Sequence, residues 1–135
     1  MEDERQQAES LRKAAGAIGS TEVAGFSLQG VDKHLTPVCH IRGGTDDAPP
    51  DVKASAMKAF TEIVESCLAQ GKDGYFRVGR PDRLKGPQFC LVALARRGEE
   101  VVGAAAFIVR CADEDAAKLV LRLARWEAAP FLKRP

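Results

Sequence analysis

His34, Cys39 and His40 form the one cluster of soft metal-ligating residues in a chain of 135 residues with 4 cysteines and 2 histidines. A structural zinc site needs about four such ligands, so Cys67, Cys90 or Cys111 would have to complete it from elsewhere in the fold. Cys39 and His40 are adjacent, and neighbours on a strand point to opposite faces, so the two cannot share one metal there. No metal and no cofactor are expected. Nucleophilic catalysis would pair Cys39 with a histidine and a third group orienting that base. No motif surrounds Cys39, and none elsewhere marks an active site, so the chain is read as a non-enzyme. The cysteines lie far apart without a CxxC pair. Three sit in apolar runs, which suits buried free thiols acting as small hydrophobes; the alternative is a redox role.

A second group of chemistry-bearing residues is basic. Arg77, Arg80, Arg83 and Lys85 fall within RVGRPDRLK. Arginine's planar fork suits a phosphate or carboxylate, which makes these four the candidate ligand-binding residues and a small anion the candidate ligand. The plain alternative is a solvated loop partly neutralised by Asp82.

Composition narrows the partners. A net charge of +1, from 20 basic and 19 acidic side chains, gives no electrostatic case for nucleic acid or an anionic membrane. No apolar run approaches the roughly 20 residues that span a bilayer. The opening MEDERQQAES is acidic and polar where a signal peptide is basic and then apolar, so a cytoplasmic location is expected. The length suits one domain with one core.

These residues need elements to position them. Glu4 to Ile18 reads as a helix with Leu11, Ala14, Ala15 and Ile18 on one face, ended by Gly19; residues 1–20 are this helix or a linker, and 21–135 the domain proper. Val23 to Gln29 and Leu35 to Arg42 read as strands. In the second, Leu35, Cys39 and Ile41 share one face, and Val38, His40 and Arg42 the other. Pro37 cannot donate to a ladder, so this strand lies at an edge or begins after the proline. Gly43 to Pro50 is a loop. A long helix runs from about Pro50 to Gln70, with Val52, Ala56, Ala59 or Phe60, Ile63, Val64 and Cys67 inward, and Gly71 stops it. Tyr75, Phe76 and Val78 form a short strand. Phe89–Ala95 and Val101–Val109 are apolar at odd and even positions alike, the pattern of a central hairpin covered on both faces. Gly103 and Ala104–Ala106 are too small for a thick core layer: either a helix approaches closely or a small cavity remains. Asp113 caps a last helix with Ala116, Leu119, Val120, Leu123 and Trp126 or Glu127 inward, halted by Pro130. Trp126 and Phe131 pack that helix or form a homodimer seam. The order helix-β-β-helix-β-β-β-helix indicates an α+β fold, a mostly antiparallel five-stranded sheet flanked by helices.

That order, with the hairpin's Val101-Val102-Gly103 and its small apolar strand, the Cys67-Leu68-Ala69-Gln70-Gly71 helix end and the closing Ala116–Ala128 helix, resembles the GAF domain family of sensory modules, within a GAF/profilin-like architecture. The likeness covers roughly Ala59 to Ala128. The stretch Arg97 to Arg110 also resembles divergent GAF-like domains found beside adaptor (membrane-fusion) proteins of bacterial secretion systems. The first half departs from the family: Thr21–Gly44 is short and contains Pro37. The resemblance implies a non-enzymatic sensory, ligand-binding or protein-interaction module within a larger signalling or transport system. It further implies a ligand cavity bordered by the Arg77–Lys85 loop and a homodimer through the terminal helices. The same element order fits a roadblock-like dimerisation scaffold without ligand, which pairs through a sheet edge and the long helix. A weaker alternative is a cysteine-dependent redox enzyme; the family has a methionine-sulfoxide-reducing branch, whose cysteine pattern is not matched here.

Overall fold

A computed structural model describes residues 2–29, 32, 34–42, 50–79 and 84–132. Its elements are α1 (Glu2–Ile18), β1 (Glu22–Gln29), β2 (His34–Arg42), α2 (Pro50–Gln70), β3 (Gly74–Val78), β4 (Gln88–Arg97), β5 (Glu100–Arg110), α3 (Glu114–Glu127) and α4 (Ala129–Leu132). The strands form one sheet in the order β2-β1-β5-β4-β3, and every neighbouring pair is antiparallel. The fold is therefore α+β, with the expected element order and the Gly86–Arg110 hairpin at its centre. None of the described helices is long and apolar enough to cross a membrane.

Each face of the sheet has its own apolar layer. Leu11, Ala14 and Ala15 of α1, Ala117 and Ala124 of α3, and Phe131 and Leu132 of α4 pack on one face, over Val23, Leu91, Ala105 and Phe107. Phe60, Val64 and Cys67 of α2 pack on the other, over Ala24, Phe26, Cys90, Val92, Leu94, Ala104 and Ala106. The double-sided apolar runs of β4 and β5 exist because both faces are covered. Phe60, rather than the exposed Ala59, is the residue α2 turns inward. Val52 lies where side chains are outside the described residues.

Both long helices ahead of the hairpin close in the same way. Gly19 (φ 71°) and Gly71 (φ 66°) sit in the left-handed region. The following amides of Ser20 and Lys72 return to the carbonyls of Ala15 at 2.8 Å and Cys67 at 3.2 Å. Glycine carries no Cβ penalty there, so each helix is stopped and its last carbonyls are satisfied. At the start of α3, the Asp113 side chain accepts the Ala116 amide at 2.8 Å.

Three expectations are corrected. Leu119, Leu123 and Trp126 were expected on the inner face of α3, but they are 65%, 44% and 78% exposed. The buried line is Ala117, Ala124 and Ala128, because α4 already drives Phe131 and Leu132 into this layer. Alanines let α3 lie close over what remains. Second, Leu35 joins the α2 layer while Cys39 packs with the opposite one. The pairing jumps from Gly25–Cys39 to Phe26–Pro37, so Val38 is bulged out and the outer half of β2 reverses its faces. Third, α3 ends at Glu127 with Ala128 as its C-cap, ahead of Pro130 as expected, but it is not the last helical element; Pro130 begins a further turn. It lies in the first turn of α4, where its missing N–H is not required.

The small residues of β5 are also accounted for. A Cβ added at Gly103 would stand 2.4 Å from the Phe26 carbonyl oxygen, so the glycine of Val-Val-Gly admits the backbone of β1 rather than a helix or a ligand. Ala104, Ala105 and Ala106 are fully buried beneath the helices of the two faces.

Candidate functional site

The expected ligand loop joins β3 to β4 at one end of the sheet. Arg77 lies on β3 opposite Phe89. That register turns it toward the α3 side, the side of Tyr75 and Phe89, and its side chain is exposed. Lys85 is exposed on the turn leading into β4. Arg80 and Arg83 lie outside the described residues, as does Asp82. The base of the loop is pinned: Arg110 donates to the Gly86 carbonyl at 2.8 Å, and the Cys111 amide to that of Pro87 at 3.2 Å. Arg110 pairs with Gln88 at the end of β5, which adds a cation at this end of the sheet. Its position follows from strand register, which sequence spacing does not reveal.

At the opposite edge, on the α2 face, is a buried polar pair. His40 is 5% exposed, and its Nε2 lies 2.6 Å from Glu22 Oε2. Its ring meets Phe60 of α2 edge-on, with centroids 6.0 Å apart. An ionised carboxylate can only accept, so Nε2–H is the donor in this contact. The other ring nitrogen, Nδ1, is buried with no hydrogen-bond partner among the described residues, an arrangement that costs free energy wherever it persists. Glu22 and His40 lie on neighbouring strands, two positions out of register: Glu22 pairs with Arg42 and His40 with Ala24. This diagonal relation was invisible without the pairing.

Cys39 and His40 lie on opposite sides of the sheet. A Cβ at Gly25 would meet Cys39 Sγ and Leu11 on the α1 side, while His40 faces Phe60. They therefore cannot act as nucleophile and base for one substrate. His34 is exposed and stands 3.6 Å from Asp32. No three His, Cys, Asp or Glu among the described residues are grouped to hold a metal ion. None of the four cysteines forms a disulfide among the described residues. Burial pushes Cys90 up to about 12 and Cys67 up to about 11, so both stay protonated at neutral pH and are poor nucleophiles. Burial raises Cys111 as well.

A third polar group ties the α2 end of the molecule to α3. Asp73, between α2 and β3, accepts the Leu94 amide at 2.9 Å through Oδ1 and Arg125 Nη1 at 2.7 Å through Oδ2. Arg125 also donates to the Leu94 carbonyl at 3.2 Å. β3 begins at Gly74 opposite Val92, so Leu94 lies beyond its reach, and two side chains satisfy the backbone groups that a longer β3 would have met. Arg96 adds a hydrogen bond to the Gly71 carbonyl at 2.7 Å.

No family model matches the chain, and no curated protein matches it significantly. Among solved structures, it is similar to the photoproduct state of the GAF3 domain of Slr1393 from Synechocystis sp. PCC6803, with a TM-score of 0.55 and 12% identity over 94% of this chain and 92% of that one. The match spans the first half as well as the second, so the short, proline-bearing Thr21–Gly44 region is a local departure within the same architecture. The chain has the fold of a divergent GAF-like domain.

Proposed function

We propose that this GAF-like domain is a non-enzymatic sensory module that takes up a small anionic ligand at the β3–β4 loop and passes the event to its terminal helices. The observation that carries this reading is the Asp73–Arg125–Leu94 junction. It joins the α2–β3 turn, beside the loop-bearing strand β3, to α3, so a shift on one side has a polar connection to the other. A ligand that binds two arrangements of this junction unequally shifts their populations by that difference in affinity. Arg77, Arg80, Arg83 and Lys85 supply the cations. The absence of a nucleophile–base pair at Cys39 and His40, and the protonated Cys67 and Cys90, support the non-enzymatic part.

The test is thermal unfolding with a panel of nucleotides, inorganic phosphate and dicarboxylates. The expected result is a rise in Tm with at least one anion that is lost in Arg80→Ala or Arg83→Ala. Hydrogen exchange should then slow in α3 on binding, but not in an Asp73→Ala variant. A panel with no arginine-dependent shift overturns the ligand assignment, and binding without any change in α3 overturns the coupling.

A further inference from the structure

We infer that a crevice between the last turns of α1 and the β1–β2 edge binds a small monocarboxylate with a short apolar tail. Arg12, Ala15 and Gly16 recur at i, i+3 and i+4, so they share one side of the helix. With Val23 and Ile41 of the sheet they line a space of about 260 Å³. That is below the roughly 300–1,000 Å³ of pockets for drug-sized ligands, which limits the occupant to a small molecule. Ala15, Val23 and Ile41 belong to the α1 layer of the core, so the apolar walls are already in place.

Gly16 keeps the space open. It lies within α1, and no described atom beyond its chain neighbours and its own helix backbone lies within 4 Å of an added Cβ. Neither a turn nor a close approach requires glycine here, and alanine is the better helix former. A residue that weakens its helix while its missing side chain leaves a cavity fits a site kept at the expense of stability.

The charges suit a single carboxylate. Arg12 is the one cation among the residues lining the crevice. Glu22 also borders it, but its carboxylate lies 2.6 Å from His40 Nε2, on the side of the sheet where His40 meets Phe60, away from Ala15 and Val23. Arg12 Nη1 meets Glu9 at 3.1 Å with both side chains half exposed. Such a pair contributes little, and the guanidinium has further N–H donors for a second carboxylate. The Ser20 hydroxyl is spent on the Glu22 and Ile108 carbonyls, each at 2.8 Å. The Thr21 hydroxyl makes no hydrogen bond among the described residues. One guanidinium edge and one hydroxyl match a carboxylate, whereas a phosphate dianion would find too few donors. The crevice is separate from the β3–β4 loop, and the inference stands whether or not that loop binds an anion.

The probe is isocaproate, compared with isocaproamide, which has the same shape and no charge. Each is titrated into the full nitrogen-labelled chain, and amide NMR follows the shifts. The expected result is a saturable shift at Gly16, Ser20 and Thr21 with the acid, and about tenfold weaker binding of the amide. Arg12→Gln should bring the two ligands level. Gly16→Leu should fill the crevice and abolish binding of both, with a thermal melt confirming that the variant is folded. Equal binding of acid and amide to the parent, shifts confined to the β3–β4 loop, or no saturable shift overturns the inference. So does undiminished binding by folded Gly16→Leu.

Discussion

Asp73 and Arg125 meet at 2.7 Å, half-shielded from solvent, where β4 outruns β3. Their value lies less in the ion pair itself than in the Leu94 amide and carbonyl that they satisfy together. Asp73→Ala leaves a backbone donor and a guanidinium without their acceptor, with an expected loss of about 1–3 kcal/mol in urea unfolding. Asp73→Asn keeps an acceptor and loses less. The double variant Asp73→Ala/Arg125→Ala should lose less than the sum of the singles, since the residues share one network.

Gly103 and Gly16 should respond oppositely to the same change. Gly103→Ala drives a methyl group toward the Phe26 carbonyl, and β1 and β5 can separate only by disturbing both layers. The expected cost is about 1–3 kcal/mol. Around Gly16, near the end of α1, no described atom beyond its chain neighbours and its own helix backbone lies within 4 Å of the added methyl, so Gly16→Ala should gain about 0.5–1 kcal/mol through helix propensity. Thermal melts of the two variants check the sign of each.

Among the described residues Glu22 is the hydrogen-bond partner of the His40 ring, so Glu22→Ala leaves both nitrogens buried. A loss of about 1–3 kcal/mol is expected. Adding His40→Phe to that variant should recover part of the loss, because an apolar ring against Phe60 has no nitrogen to satisfy. A double variant that is less stable than Glu22→Ala alone would show that the ring's nitrogens find other partners.

Alkaline pH should weaken the fold through its buried thiols. Folding raises Cys90 to about 12 and Cys67 to about 11 from an ordinary value near 9, so the folded chain holds these protons more tightly than the unfolded one. Their contribution is intact below pH 9 and is lost as pH climbs through the folded values. Urea midpoints of the parent should therefore fall between pH 9 and pH 11, and Cys67→Ala/Cys90→Val should flatten that fall. At neutral pH, a thiol-reactive dye should label the half-buried Cys39 first and reach Cys67 and Cys90 only on unfolding.

Local signals made much of the fold legible. The hairpin showed in its double-sided apolar runs, the edge position of β2 in Pro37, the helix ends in Gly19 and Gly71, and the cap of α3 in Asp113. The inner face of α3 was misread because hydrophobicity ranks leucine and tryptophan above alanine. The sheet takes alanines there because Phe131 and Leu132 come in from α4, a choice made by tertiary space. The bulge at Val38 has no sequence mark, yet it alone decides which way Leu35 points. The candidate site was less legible. Arg77 and Lys85 are surface residues of the expected loop, but the pairs Glu22–His40 and Asp73–Arg125 join residues 18 and 52 positions apart. Strand register brings the first pair together, and the packing of α3 over β4 the second.

The two outer strands have a consequence for assembly. On β2, Pro37 offers no N–H, and the adjacent bulge staggers the free hydrogen-bonding row. On the far side, β3 is 5 residues long, and the stretch of β4 beyond it is occupied by Asp73 and Arg125. Among the described residues, neither rim presents a long flat run of backbone onto which another chain can zip. Both described rims work against strand-to-strand polymerisation.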